Sequence, residues 1–163
     1  MPRLLEKILV YVDGSEQSIT AAQYAICLSQ STGAPLVALY VINTRALDDL
    51  VKASIFLMEE QEEYSQDIEA DAIRYLNLVS DLARRKGIAI ETVSRKGSIH
   101  QEILATIREN GIDLLVIGEL SRIRSRRDEL YNDTERAMRQ VNCSVLIVKD
   151  EDRVNDLFES GTV

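Results

Sequence analysis

The sequence predicts an α/β protein built on an open, five-stranded parallel sheet with helices on both faces. Five short apolar runs alternate with longer amphipathic stretches, and a parallel sheet covered by crossover helices requires that rhythm. Runs one, two, four and five are near-continuous in β-branched residues or Leu, as strands buried on both faces are. The chain has 163 residues, 45% hydrophobic and 28% charged, which is room for one sizeable core and excludes collagen-like, disulfide-rich and wholly disordered scaffolds.

In chain order, the strands are expected at Lys7 to Val12, Pro35 to Val41, Ile88 to Ser94, Asp113 to Ile117 and Ser144 to Val148. Between the first two, Ile19, Ala22, Ile26 and Ser29 recur at helical spacing, and Gly33 with Pro35 stops a helix running from about Glu16 to Thr32. Ser54 to Lys86 is long for a crossover helix. Ile68, Ala72, Leu76, Val79 and Ala83 form a buried stripe in its second half, whereas seven acids between Glu59 and Asp71 mark a solvated, protruding start. That acidic face serves solubility, or alternatively docking. Ser98 with Gln101 reads as a capping box, followed by Ile99, Ile103 and Ile107 and a stop at Asn110-Gly111. A last helix is expected from near Asn132, with Glu135 three residues on, to about Gln140. Residues 1–149 form the domain. Residues 150–163, with five acids and one Arg, read as a flexible acidic tail, Leu157 and Phe158 being the residues able to dock it.

With 19 Lys and Arg against 27 Asp and Glu, the formal charge of −8 makes a poor general binder of nucleic-acid backbones. Cys27 and Cys143 lack CxxC spacing and read as reduced thiols, and a single histidine disfavours zinc. The charged N-terminus does not resemble a signal peptide, and no apolar run reaches the ~20 residues of a membrane span, so the expected location is cytoplasmic.

Ligands of open parallel sheets bind beyond the carboxyl ends of the strands. Strand one ends in Val12-Asp13-Gly14-Ser15 and strand four in Ile117-Gly118-Glu119-Leu120-Ser121, each offering a glycine where backbone can approach a ligand. A turn that needs positive φ explains Gly14 equally well.

Taken in order, Lys7-Ile8-Leu9-Val10-Tyr11-Val12-Asp13-Gly14-Ser15, Leu39-Tyr40-Val41, Gly97-Ser98-Ile99-His100-Gln101-Glu102-Ile103, Asp113-Leu114-Leu115-Val116-Ile117-Gly118, Thr134-Glu135 and Val145-Leu146-Ile147-Val148-Lys149 resemble the universal stress protein family over nearly the whole chain. The resemblance implies a Rossmann-like fold of the adenine nucleotide alpha hydrolase type, with strand order 3-2-1-4-5, Asp13 beside Gly118, and a nucleotide site. Asp13 and Val41 match the family's ribose and adenine positions. Its phosphate pattern is a glycine, two residues, a second glycine, nine residues, then Gly-Ser or Gly-Thr. Here Gly118 keeps the first position, while Ser121, Tyr131 and Asn132 replace the others. Tyr131 puts a bulky side chain where close backbone approach is wanted, Asp133 adds negative charge, and Asn132 or Asp133 can cap the helix from within the chain. The phosphate cradle is expected to be broken and the adenosine crevice kept.

Arg122, Arg124, Arg126 and Arg127 lie in the loop that would cover the phosphates. They either face solvent and pair with acids or, as forks, hold an anion. A phosphorylated receiver is rejected, because strand three ends in Ser94-Arg95-Lys96 without an acceptor Asp. A hydrolase lacks a Gly-x-Ser-x-Gly elbow and a metal-ligand cluster, and His100 reads as a surface or capping residue rather than a base. The preferred function is a non-enzymatic stress-response interaction module that needs neither cofactor nor metal and acts on an unidentified protein partner. The alternative is an ATP or AMP sensor using Asp13, Val41 and Gly118, with Ser121, Asn132, Arg124 and Arg126 on the phosphate side. Strand five would be a sheet edge, and Val145, Leu146, Ile147 and Val148 offer it to a second copy of the chain, as the family resemblance also implies.

Overall fold

A computed structural model describes residues 3–44, 48–49, 52, 58–120 and 128–160. The chain alternates β1 (Ile8–Val12), α1 (Glu16–Thr32), β2 (Leu36–Ile42), α2 (Met58–Arg85), β3 (Ile90–Lys96), α3 (Ile99–Asn110), β4 (Leu114–Gly118), α4 (Asp128–Gln140), β5 (Ser144–Val148) and α5 (Glu151–Ser160). All strand pairs are parallel, in the order β3-β2-β1-β4-β5 that the family resemblance implies. Ile8 sits opposite Leu36 on one side and Leu114 on the other, so β1 is central and wholly buried.

Successive strand residues face opposite sides of a sheet, and this divides the core in two. Ile8, Val10 and Val12 pack with α1, α2 and α5, whereas Leu9 and Tyr11 pack with α3 and α4. Cys27 and Cys143 are both free and belong to opposite faces. β1, β2 and β4 therefore need apolar residues at every position, and the edge strands β3 and β5 do not. In β3 that freedom moves the boundaries. The strand runs on through Arg95 and Lys96, whose side chains are paired with Glu102, Glu109 and Glu69, so charge does not end it at Ser94.

α1 has the predicted bounds. Ser15 caps it by accepting from the Ser18 N–H, and Gly33 at φ 76° closes it by donating to the Ser29 carbonyl. The 28 residues of α2 span about 42 Å against about 23 Å for the seven-residue β2, so only part of the helix can cover the sheet. Among its described residues the buried ones, Ala72, Leu76, Val79, Leu82 and Ala83, all lie in the second half.

Three local expectations are corrected. Ser98 is the N-cap of α3, but its side chain makes no capping bond, and Ser98 Oγ is buried without a hydrogen-bond partner among the described residues. The capping box with Gln101 is not formed, because a carboxylate from another helix has taken the position, as described below. α4 begins at Asp128, one turn before the expected start, so Asn132 and Asp133 lie inside the helix and neither caps it. Finally, residues 151–160 are not a flexible tail but the helix α5. Val154 and Phe158, four apart on one face, are buried against the α1 and α2 side of the sheet, while Leu157 stays 40% exposed. Arg85 pairs with Glu159 at 3.1 Å, and the Arg85 and Lys86 cations stand 5.3 and 4.8 Å from the Phe158 ring centre.

Candidate functional site

At the carboxyl ends of β1, β2 and β4 a crevice of about 410 Å³ opens, in the place where strand order reverses. Asp13, Val41 and Gly118 all line it. Ser121, Arg124 and Arg126 lie outside the described residues, as does the side chain of Asn132.

The Asp13 corner is built locally. Asp13 Oδ1 accepts from the Ser15 N–H at 2.9 Å and from the Ser15 hydroxyl at 2.5 Å, while the Asp13 N–H donates to Ser18 Oγ at 3.2 Å. The turn holds the carboxylate at the start of α1. Gly14 adopts φ 86°, and a Cβ there would lie 2.6 Å from the Tyr75 ring. A turn and a close neighbour thus account for Gly14 without a ligand. Gly118 has a different reason: a Cβ would fall 2.4 Å from the Gln17 carbonyl oxygen, so the first turn of α1 can rest on the end of β4 only if residue 118 is glycine.

Val41, Ile99 and Ile117 make the crevice apolar on one side. Its polar groups include three that sequence reasoning missed: Tyr11, Tyr40 and Thr134. The signal was present in the two tyrosines, each a polar-tipped ring near the carboxyl end of an otherwise aliphatic strand. Burial, then the charge of Asp13, pushes the Tyr11 phenol well above its ordinary range, while a hydrogen bond from the Thr134 side chain opposes the shift. Burial, followed by the charges of Asp71 and Asp13, pushes Tyr40 up to about 12. Tyr40 also stacks on Tyr75, ring centres 6.2 Å apart. Both phenols therefore stay neutral donors at ordinary pH.

The charge at the mouth is negative. Asp13 and Glu119 line the crevice, and the described lining includes no Lys or Arg. Lys149 lies 3.9 Å from Glu119, but both side chains are more than half exposed and such a pair is worth little. His100, expected as a surface or capping residue, is buried at 6% exposure. Its Nδ1–H donates to Asp133 Oδ1 at 2.5 Å, and its backbone N–H donates to Asp133 Oδ2 at 3.1 Å. Asp133 reaches across from α4 and caps α3, which is why Ser98 does not. A slot with apolar walls, neutral hydroxyls and an acidic rim suits a flat ring bearing donor groups. Among the described residues no group of three or more His, Cys, Asp or Glu is placed to hold a metal ion, and no helix is long and apolar enough to cross a membrane.

The fold and this switch-point crevice define the class, and sequence comparison specifies it. The universal stress protein family model matches residues 5–149, and the chain belongs to that family. It is 26% identical over 152 residues to the universal stress protein YxiE of Bacillus subtilis, covering 90% of this chain and all of that protein. A universal stress protein solved in complex with cAMP superposes with a TM-score of 0.67 at 20% identity, over 90% of this chain and 99% of that one. An Arabidopsis thaliana family protein with AMP bound does so at 0.64 and 16% identity, over 91% and 94%. At these identities the two structures establish likeness of fold.

Proposed function

We propose that this chain is a regulatory interaction module of the stress response that works as a homodimer and does not depend on ATP. The observation that supports ATP-independence is the start of α4. With the helix beginning at Asp128, Asn132 lies beyond its first three positions, so the N–H of Asn132 belongs to the i→i−4 ladder rather than to a phosphate cradle. Ser121 and Tyr131 replace the family's second and third glycines, and the described rim is acidic where a triphosphate would bring more negative charge. Association through β5 rests on its place at the edge of the sheet, with Ile147 41% exposed.

Isothermal calorimetry with Mg-ATP on the full chain is expected to give no binding at micromolar concentration, and adenine nucleotides should be absent from the supernatant of the denatured, purified protein. Micromolar affinity would overturn the reading.

A second reading is favoured by the convergence of Asp13, Val41 and Gly118 in one crevice and by the cAMP and AMP held by the two structural relatives. In it, an adenosine-like group occupies the crevice, and Arg124 and Arg126 supply the donors for its phosphate. Replacing both with Ala should then abolish AMP binding; unchanged affinity removes the arginines from the site.

A further inference from the structure

α4 forms one wall of the crevice through Thr134. Among its described residues Ala137 alone is a fully buried apolar side chain, and Met138 adds partial burial. Polar contacts from two consecutive residues also hold it. Asp133 is turned to α3, where both carboxylate oxygens are used on His100. Thr134, buried at 8% exposure, is turned to β1, where it bonds the Tyr11 hydroxyl and lines the crevice with it. Neighbouring helical residues point about 100° apart, so one helix can be pinned to two elements in this way. A rotation of α4 that breaks the Asp133 contact must also carry Thr134 off Tyr11. The Ser98 hydroxyl, without a hydrogen-bond partner among the described residues, points to the same conclusion: α3 has given up its own cap in favour of a carboxylate from α4.

We propose that His100 and Asp133 form a latch that positions α4 and thereby sets the Tyr11–Thr134 side of the crevice, making His100 a positioning residue for whatever binds there. The proposal rests on the crevice reading above for its ligand, taken as an adenosine-like group, but not for its geometry. A half-buried carboxylate left without His100 would seek other donors, and α4 would turn with it.

The test uses the full chain labelled with 3-fluorotyrosine, the Tyr11 fluorine signal being assigned by its loss in Tyr11→Phe. In His100→Ala the Tyr11 signal should move toward its position in Thr134→Val. In His100→Asn, whose amide nitrogen can donate from the place of Nδ1, it should return. Adenosine affinity, measured by calorimetry as the probe, should fall about tenfold in His100→Ala and recover in His100→Asn. A folded His100→Ala chain with the wild-type Tyr11 signal overturns the latch, as does a His100→Asn chain that behaves like His100→Ala. If His100→Ala does not fold, Asp133→Ala, which removes both acceptors, makes the same comparison, and an unmoved Tyr11 signal there is equally fatal. A wild-type chain that does not bind adenosine removes the adenosine reading alone, since the Tyr11 signal still decides the latch.

Discussion

Tyr40 shows what one residue at a strand end can do. Its ring packs on Tyr75, the residue lines the crevice, and burial with Asp71 and Asp13 nearby raises its pKa to about 12. The folded state therefore prefers the neutral phenol more strongly than the unfolded chain does. The stability that follows from this is fully present below pH 10, the ordinary tyrosine value, and is lost as pH rises toward about 12. Urea unfolding as a function of pH should show this alkaline loss, with Tyr11 contributing to it, since burial also raises its phenol well above the ordinary range. Tyr40→Phe should make the decline shallower. An identical slope in the variant would show that Tyr40 titrates as it does in the unfolded chain.

Among the elements, α5 departs furthest from its sequence reading. Five acids in fourteen residues describe a solvated tail, and composition weights every residue equally. Two residues decide otherwise: Val154 and Phe158 meet an apolar seam on α1 and α2 that only the folded molecule presents. Phe158 is 0% exposed, with Arg85 and Lys86 over its ring. Truncating it to Ala should cost about 3–5 kcal/mol of unfolding free energy, measured by urea denaturation. A change under about 0.5 kcal/mol, the usual effect of a surface substitution, would mean that the helix is not docked in solution. α3 went astray for the same reason. Ser98-x-x-Gln101 is a sound local cap, but a cap is chosen by whichever oxygen is nearest to the free N–H group. At α3 that oxygen belongs to Asp133, which lies 33 residues from His100 in sequence.

In the molecule as a whole, β5 is the open question of assembly. β3, the other edge, carries Glu91, Thr92, Ser94 and Lys96 as exposed residues, which discourage pairing, whereas β5 is Ser144-Val145-Leu146-Ile147-Val148 without a charge. Pairing about a two-fold axis would join two copies antiparallel along this strand. Sedimentation of the wild-type chain at tens of micromolar should give a dimer, and Ile147→Pro, which removes a backbone donor at the edge, should shift it to monomer. A monomeric wild type rules out this interface as the resting state.

The sequence by itself determined the alternation of strands and helices, the bounds of α1 and β5, and the meeting of Asp13 with Val41 and Gly118. These follow from periodicity, from local turn chemistry such as Ser15 and Gly33, and from a family pattern spread along the chain. Only the tertiary structure decided that Gly118 is required by the backbone of Gln17, that α5 is docked, and that His100 is a buried partner of Asp133. Each of these depends on which atoms lie near one another across the fold, and a contact between distant segments leaves no periodic trace in either of them.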